Sequence, residues 1–491
     1  MTDETVAPDD QSGQTPDTAE LTSAVVETHT AYVFFVGDRV YKLKKSLDLG
    51  FLDHRTREAR QQACEDEVRL NRRFAPDVYL DVLDISGSDG EVQDHLVAMR
   101  RMPDSLRLSR CIERGEDLDD AFRAIAHAVA GVHGASTPEP EHDRNANVDA
   151  VRGRWVDGFE QLGPLADQVP DPKRLDRSER LALRYLAGRG PLFADRIARG
   201  KIRDGHGDLQ AEDIFVLPDG PRILDCIEFG EEYRWGDVLA DVSFLAMDLH
   251  RLGRPDLADQ FLRWHGELSA DRWPASLAHH FIAYRAHIRA KVSILRHSQR
   301  GEPVGQGASD LLDLSLRHLE AGQVRLIVVG GLPGTGKSTL AAGIADQLGA
   351  VVLRTDEVRL RMEPEGDRYG TAAVTATYRQ MLSEAEDLLR LGESVVVDGT
   401  WNDAALRTEA RAVAASTSSL LDELQCTLPS DVAADRIRQR MQAGDDPSEA
   451  TPAVADAMAE TFAKWPEAID VSTEPDPVSV ISTAFATLAK G

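Results

Sequence analysis

The chain has 491 residues, 42% of them hydrophobic and 28% charged, which is too long for a single core and suits a globular protein of several domains. A formal net charge of −27 and a pI near 4.9 repel phosphate backbones, and no Lys/Arg cluster with interleaved aromatics offsets this, so nucleic acid is disfavoured as a partner. No stretch reaches the ~18 uninterrupted apolar residues of a membrane span. The scattered cysteines Cys64, Cys111, Cys226 and Cys426 form no C-x-x-C pair, which fits neither a zinc site nor a disulfide framework and points to a reducing, cytoplasmic setting.

In chain order, residues 1–20 carry acids, Pro, Gly and Gln but no Lys, Arg or apolar stretch. They read as a disordered acidic tail and not as a secretory signal. Residues 21–103 are β-rich: 31–36 and 39–45 form two runs joined by Gly37-Asp38, a hairpin signal, and 79–85 and 95–102 are further strands around a helix over 55–74. Residues 104–320 are mainly helical, over 121–133, 178–187, 238–250 and 278–297, with one β-rich island at 213–229. A small β lobe followed by a helical large lobe makes one coherent domain. At Gln323 the pattern changes to short apolar strands, 324–329, 351–353 and 394–397, alternating with helices through residue 491. That alternation predicts a parallel sheet covered on both faces. The fold class is therefore multidomain, α+β followed by α/β.

The first strand of the last domain runs into Gly330-Gly331-Leu332-Pro333-Gly334-Thr335-Gly336-Lys337-Ser338-Thr339. This is G-x-x-x-x-G-K-[ST] between a strand and a helix, the context a phosphate loop requires. Gly331, Gly334 and Gly336 let backbone amides curl toward phosphate oxygens, with Thr335 and Thr339 in the same loop and the helix N-terminus adding its dipole. Lys337 reaches the β and γ phosphates of ATP, and Ser338 ligates Mg²⁺. After the second strand, Asp356 stands where a carboxylate accepts the proton of an attacking hydroxyl, and Arg359 where a cation holds acceptor or phosphate. Asp398 ends the next strand as a metal-side acid, and Gly399 occupies the place where motor-type ATPases put a second acid. Farther on, Arg436 and Arg440 share one helical face ahead of Gly444-Asp445-Asp446-Pro447, a candidate mobile lid. A solvated charge run is the bland alternative.

A second constellation lies in the β-rich island. His206-Gly207-Asp208-Leu209-Gln210-Ala211-Glu212-Asp213 is followed by Ile223-Leu224-Asp225. An Asp on a loop, a polar ligand five residues on and an Asp after a strand form a protein-kinase-like layout: the first orients or deprotonates an acceptor, and the other two hold Mg²⁺ against a triphosphate. In the small lobe Lys42 and Lys44 alternate onto one strand face, and either can hold the α/β phosphates. Glu67 is the candidate partner on the following helix, with a solvated glutamate as the alternative. No Gly-rich loop precedes Ala31; Thr28-His29-Thr30 stands there instead.

The motifs G-x-P-G-T-G-K-S-T, T-D-x-x-R, V-V-V-D-G-T and the R-x-x-x-R lid resemble the small P-loop kinases, which include gluconate kinases, polynucleotide 5′-hydroxyl kinases and zeta toxins. That resemblance implies that Asp356 is the acceptor base and that Arg436 and Arg440 touch ATP. Residues 206–213 with the following Ile-Leu-Asp resemble the aminoglycoside phosphotransferase family, whose pattern is H-G-D-L-x-x-x-N and a following I-D. The implied roles are catalytic base for Asp208 and principal metal ligand for Asp225; Asp213 replaces the usual Asn, still offering oxygen to the metal. Tyr41–Lys45, Gly50–Asp53, Ile227-Glu228-Phe229 and Ala246–Leu249 resemble one bacterial arrangement, an aminoglycoside phosphotransferase-like domain fused to a P-loop domain. The expectation is an ATP- and Mg²⁺-dependent kinase with two nucleotide sites acting on a small-molecule hydroxyl. The alternatives are a regulatory N-terminal pseudokinase, and a polynucleotide kinase, against which the acidity weighs. The motifs name no acceptor and no oligomeric state.

Overall fold

The computed structural model describes residues 24–50, 52–169, 171–362, 370–443 and 451–488. The acidic tail, Phe51, the lid tip at Gly444–Pro447 and Ala489 lie outside the described residues. By density of internal contacts the chain divides into two units: Met1–Ser136 with Asp204–Arg234, and Thr137–Arg203 with Trp235–Gly491.

The first unit is built on a five-stranded antiparallel sheet of β1 (Ala24–Glu27), β2 (Ala31–Val36), β3 (Arg39–Lys44), β4 (Tyr79–Ser86) and β5 (Val92–Arg100), in the order β1-β2-β3-β5-β4. Gly37-Asp38 makes the expected turn between β2 and β3, with Gly37 at φ +60°. A tight turn at Thr28 joins β1 to β2, where the Thr28 amide donates to the Ala31 carbonyl at 2.9 Å. β5 begins three residues before the apolar pattern suggests, because pairing with β4 continues through the polar Gln93 and Asp94 to Val92; ladder bonds override side-chain propensity there. The helix Arg57–Asn71 starts at Thr56, whose hydroxyl accepts from the Ala59 amide at 3.1 Å, an N-cap. It lays Cys64 and Val68 on Val40, Tyr79, Val97 and Met99. Two short strands follow in the central island after β6 (Ile202–Asp204): β7 (Ile214–Leu217) and β8 (Gly220–Ile223) form a hairpin, and Phe215 and Leu224 join the same core.

The second unit opens with helices and the three-residue strand β9 (Trp235–Asp237). Its long helix Ala275–Arg300 packs against the helices Gln306–Ala321, Val238–Arg251 and Val148–Leu162. The chain then enters a wholly parallel sheet of β10 (Arg325–Gly330), β11 (Val351–Arg354), β12 (Val395–Asp398), β13 (Leu420–Thr427) and β14 (Ile469–Ser472), in the order β11-β12-β10-β13-β14. β10 is central and its neighbours come from crossovers to opposite sides. The crevice at its C-terminal end is therefore the topological switch point where open α/β sheets bind ligands. Ile327, Val329, Leu340, Ile344, Val396 and Leu424 form the core on one face.

The opposite, N-terminal edge of this sheet is fastened to the helices of the same unit. Ser276 Oγ donates to the Gly392 carbonyl at 2.7 Å, Arg189 Nη1 to Thr417 O at 2.9 Å, and Arg184 Nη2 to Ser419 O at 2.8 Å. Arg189 is fully buried with no carboxylate partner among the described residues, and burial pulls its guanidinium down to about 10. Gly188 lies so close that a Cβ there would stand 1.9 Å from Thr417 O. Gly188→Ala should lower the thermal midpoint of this unit, because overpacking of such a contact costs about 1–3 kcal/mol; an unchanged midpoint would show that the sheet is not held through this edge.

Candidate active sites

The phosphate loop leaves β10 and enters the helix Lys337–Leu348. Gly334 has φ +80°, and a Cβ there would meet the Ala433 carbonyl at 2.6 Å, so both conformation and space demand glycine. Lys337 Nζ donates to Leu332 O across the loop at 2.9 Å. Thr335 Oγ1 donates to the same carbonyl at 2.7 Å, and Thr473 Oγ1 ties Thr335 O to the end of the sheet at 2.7 Å. Burial lowers the Lys337 ammonium below the ordinary lysine value, with Asp398 opposing.

Parallel pairing of β10 with β12 brings Asp398 beside the loop, where its Oδ2 accepts from Ser338 Oγ at 2.6 Å. Burial raises the Asp398 carboxyl, and the Ser338 hydroxyl and Lys337 pull the other way. Arg354, at the end of β11, lies 3.9 Å from the same carboxylate. Two oxygen donors in contact, in a buried acidic spot, fit a hard divalent cation such as Mg²⁺.

Asp356 opens the helix Thr355–Arg361 at the C-terminal end of β11, and Arg359 Nη1 holds its Oδ1 at 2.7 Å. On the helix Ser430–Ala443, Arg436 and Arg440 face the loop whereas Arg438 pairs with Asp435 on the exposed side. Arg436 Nη2 donates to Thr473 O at 3.0 Å, and the Arg440 charge acts on Lys337. Gly336, Thr339, Arg436, Thr473, Pro475 and Ile481 line a cavity of about 320 Å³ beside the loop. Motif reading missed Trp401 and Tyr378: Trp401 is fully buried at φ +55° just after Asp398-Gly399-Thr400, and its amide donates to Tyr378 Oη at 3.0 Å.

In the first unit, β3 carries Lys42 and Lys44 on the face that meets Glu67. Lys42 Nζ reaches Glu67 Oε1 at 3.0 Å and Asp225 Oδ1 at 2.8 Å. Lys44 Nζ reaches Glu67 Oε2 at 2.5 Å and also Glu228. Glu67, 1% exposed, is thus no solvated residue but the shared partner of both lysines. The lysines differ in access, with Lys44 sealed and Lys42 open toward Asp225. Burial pulls the Lys42 ammonium down, but Asp225, Glu67 and Glu228 outweigh it and hold it well above the ordinary value.

Asp225 sits at φ +64°, an uncommon conformation for a non-glycine residue. Its amide donates to Tyr79 Oη at 3.1 Å, and the following Cys226 amide donates to Asn71 Oδ1 at 2.8 Å. Lys42 depresses the Asp225 carboxyl to about 2. Asp208 Oδ2 accepts from Gln210 Nε2 at 2.7 Å, while His206 Nε2 hydrogen-bonds Leu224 O at 2.9 Å and so ties the catalytic-loop candidate to the Asp225 segment. Burial, then repulsion from Asp225 and Asp208, pushes the Asp213 carboxyl well above its usual range. Carboxylates in mutual repulsion fit a cation between them. They do not yet share one coordination sphere: the only trio of donors mutually within 4.8 Å among the described residues is Glu139, Glu141 and His142, outside both sites. Glu228 had no assigned role from its position three residues after Asp225; only the fold reveals it as the counter-charge of Lys44. All four cysteines are buried and free, and no helix among the described residues is long and apolar enough to cross a membrane.

Because Lys42 and Lys44 share Glu67, Glu67→Ala should destabilise the first unit by about 3–5 kcal/mol, the cost of stranding buried charge. A chemical-denaturation midpoint reads this, and a change near zero would mean that the lysines relax into solvent.

Comparison with known proteins places these sites in context. A family model described as an AAA domain matches residues 326–465, the segment that holds the phosphate loop, Asp356, Asp398, Arg436 and Arg440. An uncharacterized protein of Mycobacterium tuberculosis (strain H37Rv) is 42% identical over 461 residues, 92% of each chain. Among solved structures, a choline/ethanolamine kinase family protein of Mesorhizobium loti is 14% identical, covering 62% of this chain and 95% of its own, with TM-score 0.35. A sugar kinase of Janibacter sp. is 20% identical, covering 34% of this chain and 94% of its own, with TM-score 0.28.

Proposed function

The chain belongs to the same family as the mycobacterial protein, and from its own site geometry we propose that it is an ATP-dependent phosphotransferase with two nucleotide sites, each directed at a hydroxyl of a small molecule. The observation that carries this reading is the contact of Ser338 Oγ with Asp398 Oδ2 at 2.6 Å beside Lys337 in the phosphate loop, which assembles lysine, hydroxyl and acid at one crevice.

In the second unit, the loop amides and Lys337 hold the β and γ phosphates, and the cavity beside Thr339 and Arg436 has room for the base of the nucleotide. Ser338 and Asp398 would hold Mg²⁺, whose chemistry is to neutralise phosphate charge. Asp356, kept in place by Arg359, accepts the proton of the acceptor hydroxyl. Arg440 and Arg436 place positive charge at the phosphates.

In the first unit, Lys42 serves as the phosphate lysine because it alone of the pair reaches the Asp225 side. Lys44 and Glu228 brace Glu67. Asp208 is the acceptor base, oriented by Gln210. Asp213 and Asp225 are the oxygen donors for Mg²⁺. A regulatory role for this unit is the second reading, favoured by Asp213 in the amide position and by the tight, glycine-free turn at Thr28. The strong net negative charge weighs against a polynucleotide acceptor, and the free buried cysteines suit a cytoplasmic setting.

ATP consumption by wild type, Lys337→Ala and Asp208→Asn against sugars, sugar acids, aminoglycosides and oligonucleotides tests the proposal. At least one small-molecule hydroxyl compound should accelerate turnover, and one substitution should remove that gain by about 10²-fold or more, the scale of a lost acid–base or phosphate-binding group. If neither substitution lowers any ATP-dependent activity, the phosphotransferase reading fails; if no compound accelerates turnover and only Lys337→Ala lowers the basal rate, the first unit is regulatory.

A further inference from the structure

Away from the residues of either nucleotide site, the helical part of the second unit borders a solvent-open cavity of about 970 Å³ whose wall includes His250, His279, His318, Asp259 and Trp273. Each histidine comes from a different helix: Val238–Arg251, Ala275–Arg300 and Gln306–Ala321. His279 Nδ1 stands 2.9 Å from His318 Nδ1. The His250 ring meets the His318 ring edge-on, with centroids 4.4 Å apart at 87°. Asp259 belongs to the fourth helix, Pro255–Leu268.

We infer that His279 and His318, with His250 as third ligand, bind one divalent transition-metal ion of the zinc type. Imidazole nitrogens are the donors that such ions prefer over the oxygen sets of Mg²⁺ and Ca²⁺. Two nitrogens on a tetrahedral ion with bonds of ~2.0–2.1 Å lie about 3.3 Å apart, so the His279–His318 pair needs to open by only a few tenths of an ångström. A site built in a helix bundle from side chains on facing helices is a common solution to this geometry. The Asp259 carboxylate, in the wall of the same cavity, supplies counter-charge for a cation. Among the described residues no third donor lies within 4.8 Å of both members of the pair, so completing the site requires a shift of the His250 ring, which already meets His318 edge-on. Leu388, Leu391 and Glu393 line the same cavity, and Glu393 directly follows the Gly392 that Ser276 holds. An ion here would therefore brace the junction of helices and sheet.

The test is titration of the metal-stripped full chain with Co²⁺, whose visible absorption in a tetrahedral nitrogen site reports ligation, followed by displacement with Zn²⁺. One equivalent of Co²⁺ should develop the band, and one equivalent of Zn²⁺ should abolish it. His279→Ala and His318→Ala should each weaken binding at least about 10-fold, the lower end of what even outer-sphere partners cost. His250→Ala should do the same, and because His250 and His279 are both only half-buried, their variants supply the answer if His318→Ala fails to fold. No tetrahedral band, a band insensitive to His250→Ala in folded protein, or a band removed by Glu141→Gln in the separate Glu139–Glu141–His142 trio would overturn the assignment and leave His279 and His318 as a hydrogen-bonded pair.

Discussion

An acidic chain that is to hold a triphosphate must gather its few cations where phosphates go and keep them from collapsing onto neighbouring carboxylates. The first unit meets this constraint with a ladder. Glu67 takes one lysine on each oxygen, Lys42 continues to Asp225, and Lys44 continues to Glu228. Three chain segments are thereby fixed to one another: strand β3, the helix Arg57–Asn71 and the loop after β8. The backbone of Asp225 is held in a sparsely populated conformation by Tyr79, and that of Cys226 by Asn71. Strain of this kind persists only where surrounding contacts over-determine it.

The second unit meets the same constraint with backbone. Lys337 is parked on a carbonyl of its own loop and not on an acid, while the acids are committed elsewhere: Asp398 to Ser338, and Asp356 to Arg359. The sheet is fastened to its helices through the edge opposite the phosphate loop, by Ser276, Arg184 and Arg189 on carbonyls that precede β12 and β13. Fixing that edge leaves the C-terminal crevice open and lets the helix Ser430–Ala443 carry Arg436 and Arg440 to the loop.

Much of this was legible in the amino-acid order. The phosphate loop, the hairpin at Gly37-Asp38 and the helix carrying Glu67 are local patterns, set by glycine positions and apolar periodicity, and they stand where expected. Asp208 and Asp225 act electrostatically on Asp213. The choice between Lys42 and Lys44 could not be made from alternation, since both side chains leave the same face; it depends on Glu228, some 180 residues away, which seals one of them. Strands β13 and β14 carried no distinctive run, because Asp422 and Glu423 interrupt one and Asp470 the other. Arg325 pairs with Asp422 and Arg411 with Glu423, partners that only the tertiary fold supplies. The histidines facing the large cavity lie on three helices and had no shared motif to announce them.

Two independent nucleotide sites on one chain should show in equilibrium binding of a non-hydrolysable ATP analogue with Mg²⁺ to the full-length protein. Two equivalents should bind, one lost in Lys337→Ala and the other in Lys42→Met. A single equivalent that survives Lys42→Met unchanged and vanishes in Lys337→Ala would contradict the two-site reading.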